Sequence, residues 1–212
     1  MIEYNMDKEI NGELGISNES SPWGVKGNSD ILFPLGSYEE LITYLGWDIS
    51  EWVEYCIQLS KKDLCKAVLR QGIKSDWFWG LAFPYISLLK KTLDEYSVPM
   101  IFGISGLPGC GKSFLGKWLN QACMDMNLSV KVISLDDFYF PAIEMQEAMR
   151  NNPWKVPRGI PGSHSIDLLT ATINKFLETG ELVAPKFDKS LREGRGDRCG
   201  WINSSHKILI IE

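Results

Sequence analysis

The residues Gly106-Leu107-Pro108-Gly109-Cys110-Gly111-Lys112-Ser113 fit the spacing G-x-x-x-x-G-K-[ST] without a mismatch. Glycines let such a loop turn sharply and bring its backbone N–H groups against phosphate oxygens. In that arrangement Lys112 reaches the β- and γ-phosphates of a nucleotide, and the Ser113 hydroxyl binds Mg²⁺. Farther along, Asp136 and Asp137 stand side by side where an apolar run ends. A carboxylate beside bound phosphates can accept the proton of an attacking hydroxyl. Neighbours at a strand end point to opposite sides, so one of the two faces the crevice. The chemistry these residues point to is phosphoryl transfer. That reaction needs the γ-phosphate held in line, its charge neutralised and the acceptor oxygen deprotonated as it attacks.

Such groups need a scaffold to aim them. Val98 to Ile104 reads as a short buried strand leading into the glycine loop, and Phe114 to Cys123 as the helix leaving it, with Leu115, Trp118, Leu119 and Ala122 on one stripe. That helix adds its positive dipole end and unpaired N–H groups to the loop. Val130 to Leu135 reads as a second strand that delivers Asp136. The strand–loop–helix–strand order gives a parallel α/β sheet, whose ligands collect outside the carboxyl ends of its strands. The expected helix Ala142–Asn151 is followed by a loop rich in proline (Pro153, Pro157, Pro161), then by a helix from Ile166 to Thr179 closed by Gly180. Pro185 to Arg198 carries five basic residues against three acidic. Lys207 to Ile211 reads as a buried strand that ends on Glu212.

Ahead of this core, residues 1–30 read as irregular or disordered, being rich in Asn, Ser, Gly and Glu. Residues 31–96 read as a helical extension packed onto the core 97–212. Its helices open at Ser37-Tyr38-Glu39-Glu40, at Asp48-Ile49-Ser50-Glu51 and at Ser60-Lys61-Lys62-Asp63 (the last ended by Gly72). A fourth, from Asp76 to about Tyr96, is expected to kink at Pro84. The aromatic run from Trp77 to Tyr85 reads as core.

The chain has 212 residues, 44% of them hydrophobic, and a net charge of −5, which argues against a general nucleic-acid or anionic-membrane binder. No apolar run approaches the ~18 residues of a membrane-spanning helix, and the acidic first twenty residues resemble neither a secretory leader nor a transit peptide. The five cysteines contain no C-x-x-C pair, so neither a zinc site nor a disulfide framework is indicated, and a cytoplasmic location is expected. Cys110 reads as a small residue that fits the loop.

Four blocks resemble D-glycerate 3-kinases, a branch of the P-loop kinases that also holds phosphoribulokinase, uridine kinase and bacterial pantothenate kinase. They are Gly103 to Ser113, then Ser134-Leu135-Asp136-Asp137-Phe138-Tyr139, then Arg158-Gly159-Ile160-Pro161-Gly162-Ser163-His164, and Pro185-Lys186-Phe187-Asp188-Lys189-Ser190 with Gly194-Arg195-Gly196-Asp197-Arg198. The resemblance implies an α/β, three-layer P-loop NTPase fold and transfer of the ATP γ-phosphate to the 3-hydroxyl of D-glycerate, with Mg²⁺ held by Ser113 and Glu212. It implies catalytic roles for Lys112 and Asp136. Substrate contacts are implied for Asp136, Tyr139, Arg158, His164, Lys186, Asp188, Lys189, Arg195 and Arg198. A guanidinium among them can hold the acceptor's carboxylate in a bidentate pair. Two alternatives stay open: a kinase for another small hydroxylated metabolite, such as a nucleoside or sugar acid, or a nucleotide-binding fragment without turnover. The second follows from the expectation that relatives continue beyond Glu212 with further strands and a basic lid. On that reading the 212 residues are an incomplete, poorly soluble part of a longer enzyme.

Overall fold

The computed structural model describes residues 36–73 and 77–212. The segment 1–30, expected to be irregular, lies outside the described residues, as does the expected helix start at Asp76. The chain divides into two compact units that meet between Glu95 and Tyr96.

The first unit is helical. Helix α1 (Gly36–Tyr44) begins before Ser37, so Ser37 stands inside the helix and not at its cap. Helix α2 (Ile49–Ser60) starts where its capping residue predicts: the Asp48 carboxylate accepts from Ser50 N at 2.8 Å and Glu51 N at 3.2 Å. Helix α3 (Asp63–Leu69) ends three residues before Gly72. The aromatic stretch opens with a π-helical turn (Phe78–Ala82) that runs into helix α4 (Phe83–Glu95). Pro84 is the second residue of α4, directly after the π turn, and the Phe83 N–H before it bonds back five residues to Phe78 O, so the irregularity expected at the proline falls in the turn leading into it. Trp52, Phe78, Phe83 and Ile86 are fully buried, and the Trp79 ring meets both Trp52 and Phe83 edge-on.

The second unit is built on a parallel sheet of three strands in the order β1-β5-β2 (Met100–Gly103, Ile208–Ile211, Val130–Ile133). Strand β5 pairs on both sides, with Leu209 opposite Ile101 and Lys131. Its Ile208, Leu209 and Ile210 are therefore buried on both faces, which is why its sequence is continuously apolar. Helix α5 (Lys112–Asp125) lies along β2 through Leu115, Trp118, Leu119 and Ala122. The opposite face carries Leu209 and Ile133 into a core with Phe138, Phe176, Leu182 and Ala184. Helix α7 (Ile166–Thr179) supplies Phe176, and a β-hairpin supplies Leu182 and Ala184. Helix α5, the sheet, and α7 with the hairpin make three layers. No described helix is long and apolar enough to cross a membrane.

The hairpin pairs β3 (Glu181–Asp188) with β4 (Asp197–Ser205) and contains most of the basic stretch, which the sequence pattern left without an element. The period is hard to read there because a register shift between Lys186 and Phe187 breaks it. Helix α6 (Ala142–Ala148) is shorter than expected, ending before Asn151. The expected second strand likewise stops at Ile133, because Leu135–Phe138 winds into a 3₁₀ turn.

At Gly196 the chain returns across Phe187 with φ +79°, and a Cβ there would lie 2.3 Å from the Phe187 ring. The Phe187 ring in turn packs edge-on against Tyr139. Gly196→Ala combines a left-handed backbone, at about 1–2 kcal/mol, with displacement of that ring. The variant is expected to melt several degrees lower and to perturb Tyr139. An unchanged melting curve would show that the turn does not depend on this close approach.

Candidate active site

The glycine loop leaves β1 and enters α5 at Lys112. Gly109 (φ +78°) and Gly111 (φ +91°) take the left-handed conformation that turns the backbone around the loop's interior. Leu107, Pro108 and Cys110 are exposed on its rim. The Lys112 ammonium donates to the carbonyls of Gly106 (2.9 Å) and Leu107 (3.0 Å), which holds its charge over the loop. Ser113, one residue into α5, donates from Oγ to Glu212 Oε2 at 3.0 Å. Glu212 reaches it because β5 runs between β1 and β2: Glu212 N donates to Ile133 O, and Leu135 N donates to Glu212 O. Ser113, Ser134, Asp137 and Glu212 line one crevice of about 400 Å³ at the carboxyl ends of β2 and β5.

A hydroxyl and a carboxylate are hard oxygen donors of the kind Mg²⁺ takes, usually completed by water and substrate phosphate. Among the described residues no cluster of three or more His, Cys, Asp or Glu could cage a metal by itself. The Ser113–Glu212 pair therefore fits a Mg²⁺ that arrives with phosphates.

The two aspartates divide their work. Ser134 caps the 3₁₀ turn by accepting from Asp136 N, and Asp137 Oδ2 accepts from Ser134 N at 3.1 Å. The other oxygen of Asp137 accepts from Phe187 N on β3 at 3.0 Å. Asp137 is thus spent on backbone. Asp136 instead meets side chains: Lys189 Nζ lies 2.5 Å from Oδ2, and His164 Nε2 lies 3.7 Å from Oδ1. Burial by itself would push the Asp136 carboxyl up. Hydrogen bonds from Lys189 and Tyr139, with the charges of Lys189 and His164, outweigh it and hold the group below the ordinary carboxylate range. The Tyr139 phenol is pushed up to about 12 by its own burial and by the Asp136 charge, so it remains a donor.

His164 is set by its own block. Ser163, fully buried, donates to Ile160 O at 2.6 Å and folds Arg158–His164 into a turn. His164 then bridges Tyr139 along the backbone, and the two rings stack 4.2 Å apart. Arg198 Nε donates to Tyr139 O at 3.0 Å, while its Nη2 is buried with no hydrogen-bond partner among the described residues. The His164 Nε2 is likewise buried without a hydrogen bond among the described residues, the Asp136 carboxylate standing 3.7 Å away. Asp136, Tyr139, His164, Lys189 and Arg198 are therefore brought together.

The remaining sequence-predicted residues go elsewhere. Arg158 donates to the carbonyls of Gly194 and Arg195 and lies over the Phe187 ring, which makes it a brace of the hairpin turn. Asp188 accepts from Ser190 N and Oγ within that turn. Lys186 is exposed, and Arg195 lines a separate cleft beside α6. Ser134, Ser163 and the backbone-binding role of Asp137 were missed. Ser134 alone left a signal, the spacing Ser134-x-x-Asp137 of a reciprocal cap.

No protein-family model matches the chain. It is 37% identical over 118 residues to an uncharacterised kinase, mug58, of Schizosaccharomyces pombe (53% of this chain, 43% of the relative). It is 32% identical over 131 residues to the probable ATP-dependent kinase TDA10 of Saccharomyces cerevisiae (54% and 45%). It is 34% identical over 108 residues to the chloroplastic D-glycerate 3-kinase of Arabidopsis thaliana (48% and 24%). The chain thus spans less than half the length of each of these relatives. Among solved structures, the YGR205w protein superposes with a TM-score of 0.50 at 33% identity, covering 60% of this chain and 51% of that one. D-glycerate 3-kinase from Cryptococcus neoformans gives 0.50 at 25% identity, covering 60% and 48%. The loop, the parallel sheet and these likenesses agree: over about half its length this chain is similar to P-loop kinases that include D-glycerate 3-kinases.

Proposed function

We propose that the chain belongs to an ATP-dependent kinase that transfers the γ-phosphate to the 3-hydroxyl of D-glycerate, giving 3-phosphoglycerate. The observation that carries this reading is Asp136: an ionised carboxylate set among Lys189, Tyr139 and His164, next to the residue that lines the P-loop crevice. On this reading the loop amides and Lys112 hold the triphosphate. Mg²⁺, when bound at Ser113 and Glu212, neutralises phosphate charge. Asp136 accepts the proton of the attacking hydroxyl as the new P–O bond forms. The glycerate carboxylate fits two buried nitrogens that make no hydrogen bond among the described residues, Arg198 Nη2 and His164 Nε2 (the latter 3.7 Å from the Asp136 carboxylate), and a buried donor is costly unless a ligand accepts from it. A small acid is favoured over a nucleoside because these donors, with Lys189, make the surroundings of Asp136 cationic. The D-glycerate 3-kinase names among the relatives support the same acceptor.

A coupled assay with D-glycerate and ATP–Mg²⁺ against a panel of hydroxylated acceptors tests the reading. Asp136→Asn keeps the shape and removes the base, so kcat should fall by ~10²–10⁴ with ATP affinity nearly intact. Asp137→Asn should act differently, lowering the melting temperature because it weakens the two backbone contacts. If Asp137→Asn abolishes turnover in a protein of normal stability, the two roles are exchanged.

Arg198→Lys preserves charge and loses the fork. The KM for glycerate should rise by roughly tenfold, about 1.4 kcal/mol of binding, while the KM for ATP stays put. Equal changes in both would remove Arg198 from the acceptor site.

The pH profile gives an independent check. A carboxyl held low stays ionised as pH falls, so the acidic limb of kcat/KM should lie below the ordinary aspartate range. Lys189→Gln removes a hydrogen bond and a charge that hold the carboxyl low, and should move that limb upward. A limb unmoved by Lys189→Gln would show that another group controls it.

A further inference from the structure

A second cleft, of about 580 Å³, opens between helix α6, the loop after it and the β3–β4 turn. Its lining residues include none of those around Asp136 and none of those in the P-loop crevice. Four cationic side chains surround it: Arg150 and Lys155 on one wall, Arg192 and Arg195 on the other. In a chain of net charge −5 this is a local reversal of sign. Arg150 pairs with Glu147, but among the described residues Lys155, Arg192 and Arg195 have no carboxylate within ion-pair distance. Like charges gathered on one cleft repel each other, and an anion between them would relieve that repulsion.

Both walls are pinned. The Asn152 side chain donates to Met149 O and Val156 O and accepts from Val156 N, closing the loop that carries Lys155. Arg158 clamps the opposite turn through the carbonyls of Gly194 and Arg195. Four non-glycine residues of the described chain have a left-handed φ, and two of them, Lys155 and Arg192, are cations of this cleft. Such conformations cost energy and gather at ligand clamps. The floor is Met145 and Met149, adaptable and apolar. Guanidinium forks match phosphate oxygens in bidentate pairs, and the volume suits a small molecule.

We propose that this cleft binds a small phosphorylated metabolite, at a site distinct from both the nucleotide loop and the acceptor site. The probe is inorganic pyrophosphate, titrated calorimetrically into the full chain carrying Lys112→Ala, which weakens the P-loop as a competing phosphate site. Saturable binding is expected to persist in that background. Adding Arg192→Gln and Arg195→Gln should weaken it at least roughly tenfold, a change of about 1.4 kcal/mol, and Arg150→Gln with Lys155→Gln on the other wall should do the same. These side chains are exposed, so melting curves should stay near the parent's. Backbone amide shifts on adding pyrophosphate should fall on Asn152, Val156 and Gly196. No binding at millimolar pyrophosphate in the Lys112→Ala chain would overturn the proposal. So would binding that all four cleft substitutions leave unchanged, or shifts confined to Gly106–Ser113.

Discussion

The Asp137 carboxylate is the fastening on which the candidate site depends. One of its oxygens holds Ser134 N at the end of β2, and the other holds Phe187 N on the hairpin. A charged acceptor bound to two backbone donors satisfies groups that would otherwise be stranded where a strand ends. It also ties two segments fifty residues apart in sequence. With the turn fixed, Asp136 must project the other way, toward Lys189 and His164. With Phe187 fixed, its ring supports Tyr139, whose stacking sets the His164 imidazole. The carboxylate beside the proposed base thus does architectural work, and the base is left exposed to side-chain chemistry alone.

That division has an electrostatic consequence. A general base is most effective when its pKa lies near the working pH, and Asp136 is instead pulled low by Lys189 and Tyr139. In the proposed transfer this is tolerable, because the transition state is loose and the hydroxyl loses its proton late, when the oxygen has already become acidic. A weakly basic carboxylate that is always ionised then serves better than a stronger base that is partly protonated. The same lysine that lowers Asp136 lies within reach of an anionic acceptor. On the proposed reading, acceptor binding and base strength are therefore coupled through one ammonium group.

The parts of this arrangement legible in the sequence are those whose signal is local. The glycine loop is written in eight consecutive residues, and the Asp48 cap and the helix closed by Gly180 are written in a few more. Strand β5 showed itself because burial on both faces demands an unbroken apolar run. The hairpin did not, since a register shift breaks the period in β3. The proline at position 84 pointed to an irregularity, and the π turn lies in the residues just before it. The roles of Asp136 and Asp137 could not be separated from spacing. What separates them is the Phe187 N–H, which arrives from a strand the sequence pattern had not revealed. Arg158 and Arg195 looked equivalent as basic residues in adjacent blocks, yet one braces a turn and the other lines a cleft.

The sheet order explains why the site resists reading residue by residue. Strand β5, last in sequence, lies between β1 and β2, so both older strands reach their partner only when β5 inserts. Insertion brings Glu212 to Ser113 across ninety-nine residues and seals the ends of β2 and β5 with two backbone hydrogen bonds. The loop's glycines and helix α5 can form early from local contacts, whereas the oxygen pair proposed for Mg²⁺ awaits the most non-local pairing in the unit. On the proposed reading, the phosphate-binding half of the site is thus encoded locally and the metal half by topology. A substitution in β5 that slows its insertion, such as a polar residue at Leu209, strips the oxygen pair while leaving the glycine loop's own sequence untouched. A perfect glycine-loop motif therefore signals phosphate binding much more directly than it signals a completed metal site.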